Sequence, residues 1–301
     1  MQKTPSAILY SATDLVNFLE CEHLTVLDLQ NLETPLPKTE DDEQAKLIQD
    51  KGFAHEAAYV NKLREQHASF IDIAAVGNDR DARHQATLQA MQAGIEIIFQ
   101  ATFLQDEFLG YADFLRRVDS PSSLGAYSYE VLDTKLARSP KGKFVVQLAY
   151  YSDLVAGIQG TPPQLMHVVL GDKREVAFRV ADYAHYYARL KGRFLERVTN
   201  AQSGATYPSP CDRCDLCHWR ELCALRWKVD DHLCQVANIL KTHIRKLEVA
   251  GVTTLEALAI LKPGKKISKI PPPVLLRLRH QASLQLRARQ TGKGRRQKSW
   301  Q

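Results

Sequence analysis

The stretch Ile95–Ala137, IEIIFQATFLQDEFLGYADFLRRVDSPSSLGAYSYEVLDTKLA, decides how this chain folds. Three of its segments, Ile95–Leu104, Phe108–Val118 and Tyr127–Ala137, are rich in β-branched and aromatic residues. Between them lie turn-forming runs, Gln105-Asp106-Glu107 and Asp119-Ser-Pro-Ser-Ser123. Such residues fill a pleated, half-buried surface well and such runs end it, so three consecutive strands are predicted.

The surroundings of these strands read as helices. Ser11 and Asp14 suit a capping box, and apolar residues follow at Leu15, Phe18, Leu19, Leu24 and Leu27, which predicts a helix over 11–32 with Cys21 inside it. A polar loop over 33–44 and helices over 44–67 and 79–94 follow. Downstream, a helix over Phe144–Ile158, two strands at Gln164–Gly171 and Arg174–Val180, and a helix over Asp182–Gln202 complete the pattern. Helices before and after a sheet predict an α/β or α+β layered domain, and α/β is the class expected.

With 301 residues and 45% hydrophobic content, the chain can bury a large core. The formal charge of +6 is spread unevenly, because residues 262–301 contain no Asp or Glu. That favours a polyanionic partner over an acidic small molecule. No secretory signal is legible in residues 1–30 and no apolar run approaches membrane-spanning length, so a cytoplasmic protein without a membrane partner is expected. No Gly-x-x-x-x-Gly-Lys-[Ser/Thr] loop is present, so any motor would be a separate helicase.

Several residues carry chemistry. In Tyr129-Glu-Val-Leu-Asp133-Thr-Lys135, alternation puts Asp133 and Lys135 on one face and Glu130 on the other. A carboxylate and an ammonium so placed suit a divalent cation beside a phosphate. Asp113 interrupts the apolar run Gly110-Tyr-Ala-Asp-Phe-Leu115, and a lone buried carboxylate is costly unless paired or bound to metal. His55, read at the start of a helix in Lys51-Gly-Phe-Ala-His55-Glu56, offers an imidazole, and Gln147 and Tyr151 share a helical face.

Taken in order, His55, Asp113, Asp133, Lys135, Gln147 and Tyr151 resemble the pattern of the RecB-like branch of the PD-(D/E)XK nuclease superfamily, most closely the RecB-like nucleases similar to the CRISPR-associated RecB-like iron-sulfur exonucleases. The resemblance spans about residues 10–225. It implies a restriction-endonuclease-like core, a central mixed sheet flanked by helices. It further implies Mg²⁺ or Mn²⁺ held by Asp113, Asp133, His55 and the carbonyl of Thr134, with Lys135 acting on the attacking water and the phosphate. Gln147 and Tyr151 would position the substrate strand. The implied activity is hydrolysis of DNA at single-stranded or free ends, as an exonuclease or flap-type enzyme. The alternative is a non-catalytic nucleic-acid-binding protein.

Six cysteines in a cytosolic protein are poorly explained as disulfides, and four lie in Cys211-Asp-Arg-Cys214-Asp-Leu-Cys217-His-Trp-Arg-Glu-Leu-Cys223. Zinc and iron-sulfur clusters both accept four thiolates. The resemblance implies a 4Fe-4S cluster on Cys21, Cys214, Cys217 and Cys223, stapling the first helix to the end of the fold, with Trp219 packed over it. The rival is a local zinc site in which Cys211 replaces Cys21. Cys234 reads as a buried structural thiol.

The expected organisation is a nuclease domain over 1–230, a helical appendage over 231–285 and a disordered basic tail over 286–301. Within the appendage, helices over 232–250 and 253–261 would flank Gly251, with Thr253 capping the second, either in the manner of a helix-hairpin-helix or as a plain αα-hairpin.

Overall fold

The computed structural model describes residues 1–5, 7–40, 43–200 and 206–291. They form two compact units: residues 1–36 with 41–206, and residues 37–40 with 207–301. The division falls after Thr206 and not near residue 230. The cysteine segment 211–223 therefore belongs to the unit of the C-terminal helices.

The first unit opens with a short antiparallel pair, β1 (Gln2–Lys3) and β2 (Ile8–Leu9), followed by α1 (Ala12–Glu20). The capping box forms: Ser11 N–H donates to Asp14 Oδ2 at 2.8 Å, and the Ser11 side chain accepts from Asp14 N–H. The single helix expected over 11–32 is two. Cys21 is extended (φ −158°, ψ 102°), and α2 (Glu22–Glu33) starts after it. The apolar stripe explains the break. From Phe18 to Leu24 it moves roughly 240° around a straight helix, so one rod could not point both halves at the core.

Next come α3 (Glu43–Gln66), β3 (Phe70–Asp72) and α4 (Arg80–Gln92), the last capped by the Asp79 side chain. Residues 51–56, read as the start of a helix, lie within α3. The predicted strands follow as β4 (Ile97–Gln105), β5 (Phe108–Val118) and β6 (Ser128–Thr134). Then come α5 (Gly142–Gln159), β7 (Leu165–Val169), β8 (Glu175–Arg179) and α6 (Val180–Thr199). The result is an α/β unit with a mixed six-stranded sheet in the order β3-β4-β5-β6-β7-β8. The β3–β4 and β6–β7 pairs are parallel and the other three antiparallel. The edge strand β3 was not foreseen, because three residues carry no readable period.

Helices cover both faces. Tyr59, Val60 and Leu63 of α3 pack on Ile97, Phe114, Leu132 and Val169. The opposite face, with Ile98, Leu115, Val131 and Val168, forms the larger core with α1, α5 and α6. Close approach of α5 to β5 depends on Gly110: a Cβ there would sit 2.6 Å from Leu154 Cδ1 and 3.4 Å from Tyr151 Cδ1. Gly110→Ala is expected to cost about 1–3 kcal/mol of stability through overpacking, read as a lower urea midpoint at constant slope.

The second unit holds α7 (Arg220–Val229), α8 (Lys241–Val249), α9 (Leu255–Ala259) and α10 (Pro272–Gln290). Its core includes Leu233, Val236, Leu247, Leu255, Leu258, Leu278 and Ala282. The helical pair around Gly251 is present but shorter than expected. Residues 233–235 form only a 3₁₀ turn, and Thr254, not Thr253, caps α9 by accepting from Ala257 N–H at 3.0 Å. Residues 286–290, expected in a disordered tail, continue α10, which buries Leu278 and Ala282; residues 292–301 lie outside the described residues.

Candidate metal centre and thiolate site

The β5–β6 ladder is antiparallel and its last pair is Phe114↔Leu132. Continued by one residue, the register sets Asp113 opposite Asp133. There the ladder stops, and Asp113 Oδ2 accepts a hydrogen bond from Thr134 N–H at 3.2 Å, taking the place of a main-chain partner. The two strands part at the point where the two carboxylates meet.

Asp133 is 1% exposed, and Lys135 Nζ lies 2.8 Å from its Oδ2. This is a charge contact, because neither Asp133 oxygen has a well-directed hydrogen bond among the described residues. Burial, followed by the neighbouring Asp133 carboxylate, pushes Asp113 well above the usual carboxylate range. Burial alone would lower Lys135, but Asp133, Asp113 and Glu56 outweigh it and the ammonium is held above its ordinary value. Tyr151 is buried on α5, and desolvation with the charge of Asp133 raises its hydroxyl. Gln147 Nε2 donates to Tyr151 Oη at 3.5 Å. Phe144 closes this side, its ring centroid 5.9 Å from Lys135 Nζ.

From α3, His55 Nε2 is buried and has no hydrogen-bond partner among the described residues. Its neighbour Glu56 is a site residue that sequence reading passed over. Burial raises the Glu56 carboxyl, opposed by a hydrogen bond from Gln100 Nε2 at 3.1 Å. Gln100 stands opposite Asp113 in the β4–β5 register and takes φ +53° within a strand. A non-glycine residue in that region is uncommon and costs energy. Glu56 directly follows His55, but no pattern in the sequence marked Gln100.

Whether these residues suit a divalent cation is judged by what they leave unsatisfied. Two carboxylates are crowded together, the buried oxygens of Asp133 lack directed donors, and an imidazole nitrogen faces no partner. A cation between the two carboxylates would answer the first two, and carboxylate oxygen is the donor that Mg²⁺ and Mn²⁺ prefer. Among the described residues, no three or more His, Cys, Asp or Glu side chains are grouped so that they could hold a metal ion.

In the second unit, Cys211 Sγ and Cys214 Sγ are 3.8 Å apart. The backbone N–H of Cys211 points at Cys214 Sγ, and that of Trp219 at Cys217 Sγ, both at 3.4 Å. Trp219 is fully buried against the ring of His218, 4.6 Å between centroids. Cys21 belongs to the first unit. Burial raises the half-buried Cys234 thiol to about 12, in keeping with a structural role.

A second polar group lies within the sheet, on the face opposite Asp133. His167 donates or accepts at both ring nitrogens, 2.8 Å from Glu130 and 2.8 Å from Glu175, and Arg116 lies 2.9 Å from Glu175. Glu130 is thereby explained as a structural partner. Burial lowers His167, but its hydrogen bonds to Glu130 and Glu175 outweigh this and its pKa is raised above 6.5. Hydrogen bonding from His167 depresses Glu175 from 4.5 to about 2.

A raised imidazole contributes stability fully below its unfolded pKa and loses it as pH climbs through the folded value. A depressed carboxylate contributes above its unfolded pKa and loses it as pH falls through the folded value. The contribution is therefore greatest between pH 4.5 and 6.5. His167→Gln, which leaves Glu130 buried without its cation, is expected to cost about 3 kcal/mol at mildly acidic pH. The gap between wild-type and variant in urea melts should narrow above neutrality; a gap constant with pH would contradict the charged network.

Comparison with protein-family models finds no family that matches the chain, and comparison with curated proteins finds no relative. No described helix is long and apolar enough to cross a membrane.

Proposed function

We propose that the chain is a metal-dependent nuclease that hydrolyses phosphodiester bonds of DNA, acting on single-stranded or free ends. The observation that carries this reading is the meeting of Asp113 and Asp133 across the parted end of β5 and β6, with Lys135 Nζ 2.8 Å from Asp133. The element order supports it. A helix, three antiparallel strands, a helix and a parallel strand is what a restriction-endonuclease-like core requires, with one Asp on the second strand and Asp-x-Lys on the third.

Asp113, Asp133, His55 and the Thr134 carbonyl would hold Mg²⁺ or Mn²⁺. When bound, such an ion polarises a phosphate and lowers the pKa of its water. The remaining work falls to side chains of the protein. Lys135, kept cationic by three carboxylates, places positive charge where a phosphorane would build negative charge. Gln147 and Tyr151 line the same side on α5 and orient the strand. Glu56 and Gln100 brace the side that α3 contributes.

The thiolate segment supports a metal staple, with two ligand sets in contention. A 4Fe-4S cluster would use Cys21, Cys214, Cys217 and Cys223. Zinc would use Cys211 in place of Cys21, and the 3.8 Å separation of Cys211 and Cys214 is also what two thiolates about 2.3 Å from one tetrahedral ion would show, so the metal itself must decide between the two.

The test is cleavage by anaerobically purified protein of end-labelled single strands, flaps and blunt duplexes, with Mn²⁺, Mg²⁺ or EDTA. Metal-dependent shortening of the single-stranded and flap substrates is expected. Failure to cut any of them in either metal would remove the nuclease reading and leave a protein that only binds nucleic acid.

A further inference from the structure

The second unit contains a basic groove that neither the candidate metal centre nor the thiolates use. Lys262-Pro263-Gly264-Lys265 forms a tight turn, closed by a hydrogen bond from Lys265 N–H to the Lys262 carbonyl at 3.3 Å. Pro at the second position and Gly at the third, with φ +82°, are what a type II turn demands. Arg279 reaches back from α10 to donate to the Leu261 carbonyl at 3.3 Å, tying the turn to the helix.

Between turn and helix lies a groove of about 310 Å³. Lys262, Lys265, Lys266 and Arg279 rim it, and Ile270 and Leu276 are among its apolar lining. No ion pair among the described residues engages any of these four cations. The positive field extends further along the unit, since burial and then Lys246 and Arg277 lower His243. From 262 to 301 there is no acidic residue to offset it.

We propose that this groove binds the sugar-phosphate backbone of a single DNA strand, as a docking site separate from the candidate metal centre. Cations around an apolar trough suit phosphates flanking deoxyribose. The small concave form, about 310 Å³, favours one strand over a lipid surface, which would call for a flat amphipathic face. The choice of DNA over RNA rests on the proposed nuclease function; the groove itself does not.

The test uses full-length protein in EDTA, where no cutting is expected, and the fluorescence anisotropy of a labelled oligothymidylate between about 50 and 200 mM salt. The triple variant Lys262→Gln, Lys265→Gln, Lys266→Gln should bind at least about ten-fold more weakly, with a log-log salt slope flatter by roughly 2, given about 0.7 per phosphate contact on a single strand. The corresponding triple Lys→Arg variant should restore binding, which separates charge from any fault in folding. Unchanged affinity and slope in the Gln variant would overturn the proposal. So would weakening confined to duplex or to RNA, or loss of binding only to vesicles containing phosphatidylserine. Cleavage in Mn²⁺ and binding in EDTA therefore report separately on the metal centre and the groove, and either can fail alone.

Discussion

Asp133→Asn is expected to reduce metal-dependent cleavage of single-stranded DNA by roughly 10²–10³-fold or more while leaving the protein folded. Asn has nearly the shape of Asp, so Leu132 and Val131 keep their packing on either side of the sheet. It removes one of two crowded negative charges, and burial with Asp133 is what pushes Asp113 upward. The substitution should therefore leave the unfolding midpoint of the metal-free protein unchanged or raise it. Loss of activity together with a gain in stability is the signature of a site arranged for an absent charge and not for its own comfort. Lys135→Met should lower cleavage comparably, because it deletes the cation while retaining most of the stem that packs beside Phe144. Circular dichroism would confirm folding in both variants. Full activity in both would refute the assignment of Asp113, Asp133 and Lys135 to the reaction.

The second large effect is expected at the thiolates. Protein purified anaerobically should carry iron and acid-labile sulfide near the stoichiometry of one 4Fe-4S cluster, and Cys217→Ser should abolish it. Cys217 is buried, and its sulfur accepts from Trp219 N–H. Losing the ligand would leave a polar gap beside a fully buried tryptophan, so cooperative unfolding of residues 207–291 should weaken by several kcal/mol. A structural metal site commonly contributes folding energy on that scale. Cys21→Ser and Cys211→Ser separate the ligand sets: loss of iron in the first alone supports the cluster. Stoichiometric zinc without iron, lost in Cys211→Ser, would replace the cluster with a local four-thiolate site.

Much of the fold was legible in local pattern. The strand Phe108–Val118 has the predicted limits because Gln105-Asp106-Glu107 and Asp119-Ser-Pro end its run abruptly. The capping box at Ser11 was legible because its two partners are three residues apart. The break at Cys21, the edge strand Phe70–Asp72 and the separation of 207–291 from the sheet were not, since each depends on what a segment packs against. Glu130 shows the same limit. Its side was read correctly from alternation, but its purpose depends on His167, Arg116 and Glu175, which arrive from three other strands.

For the candidate site, sequence alone determined which chemistry is on hand: a carboxylate in an apolar strand, an Asp-x-Lys pair on one face of the next, and an imidazole on a helix. These follow from side-chain type and from a period of two or 3.6 residues, both of which are local. Only the tertiary structure decided that Asp113 stands opposite Asp133, that Thr134 N–H is given to Asp113, and that Glu56 and Gln100 join them. Register between β5 and β6 is set across a nine-residue connection by which apolar side chains reach the core, and a slip of one residue would turn Asp133 to the other face. That choice is made by the packing of the whole sheet, which no single segment contains.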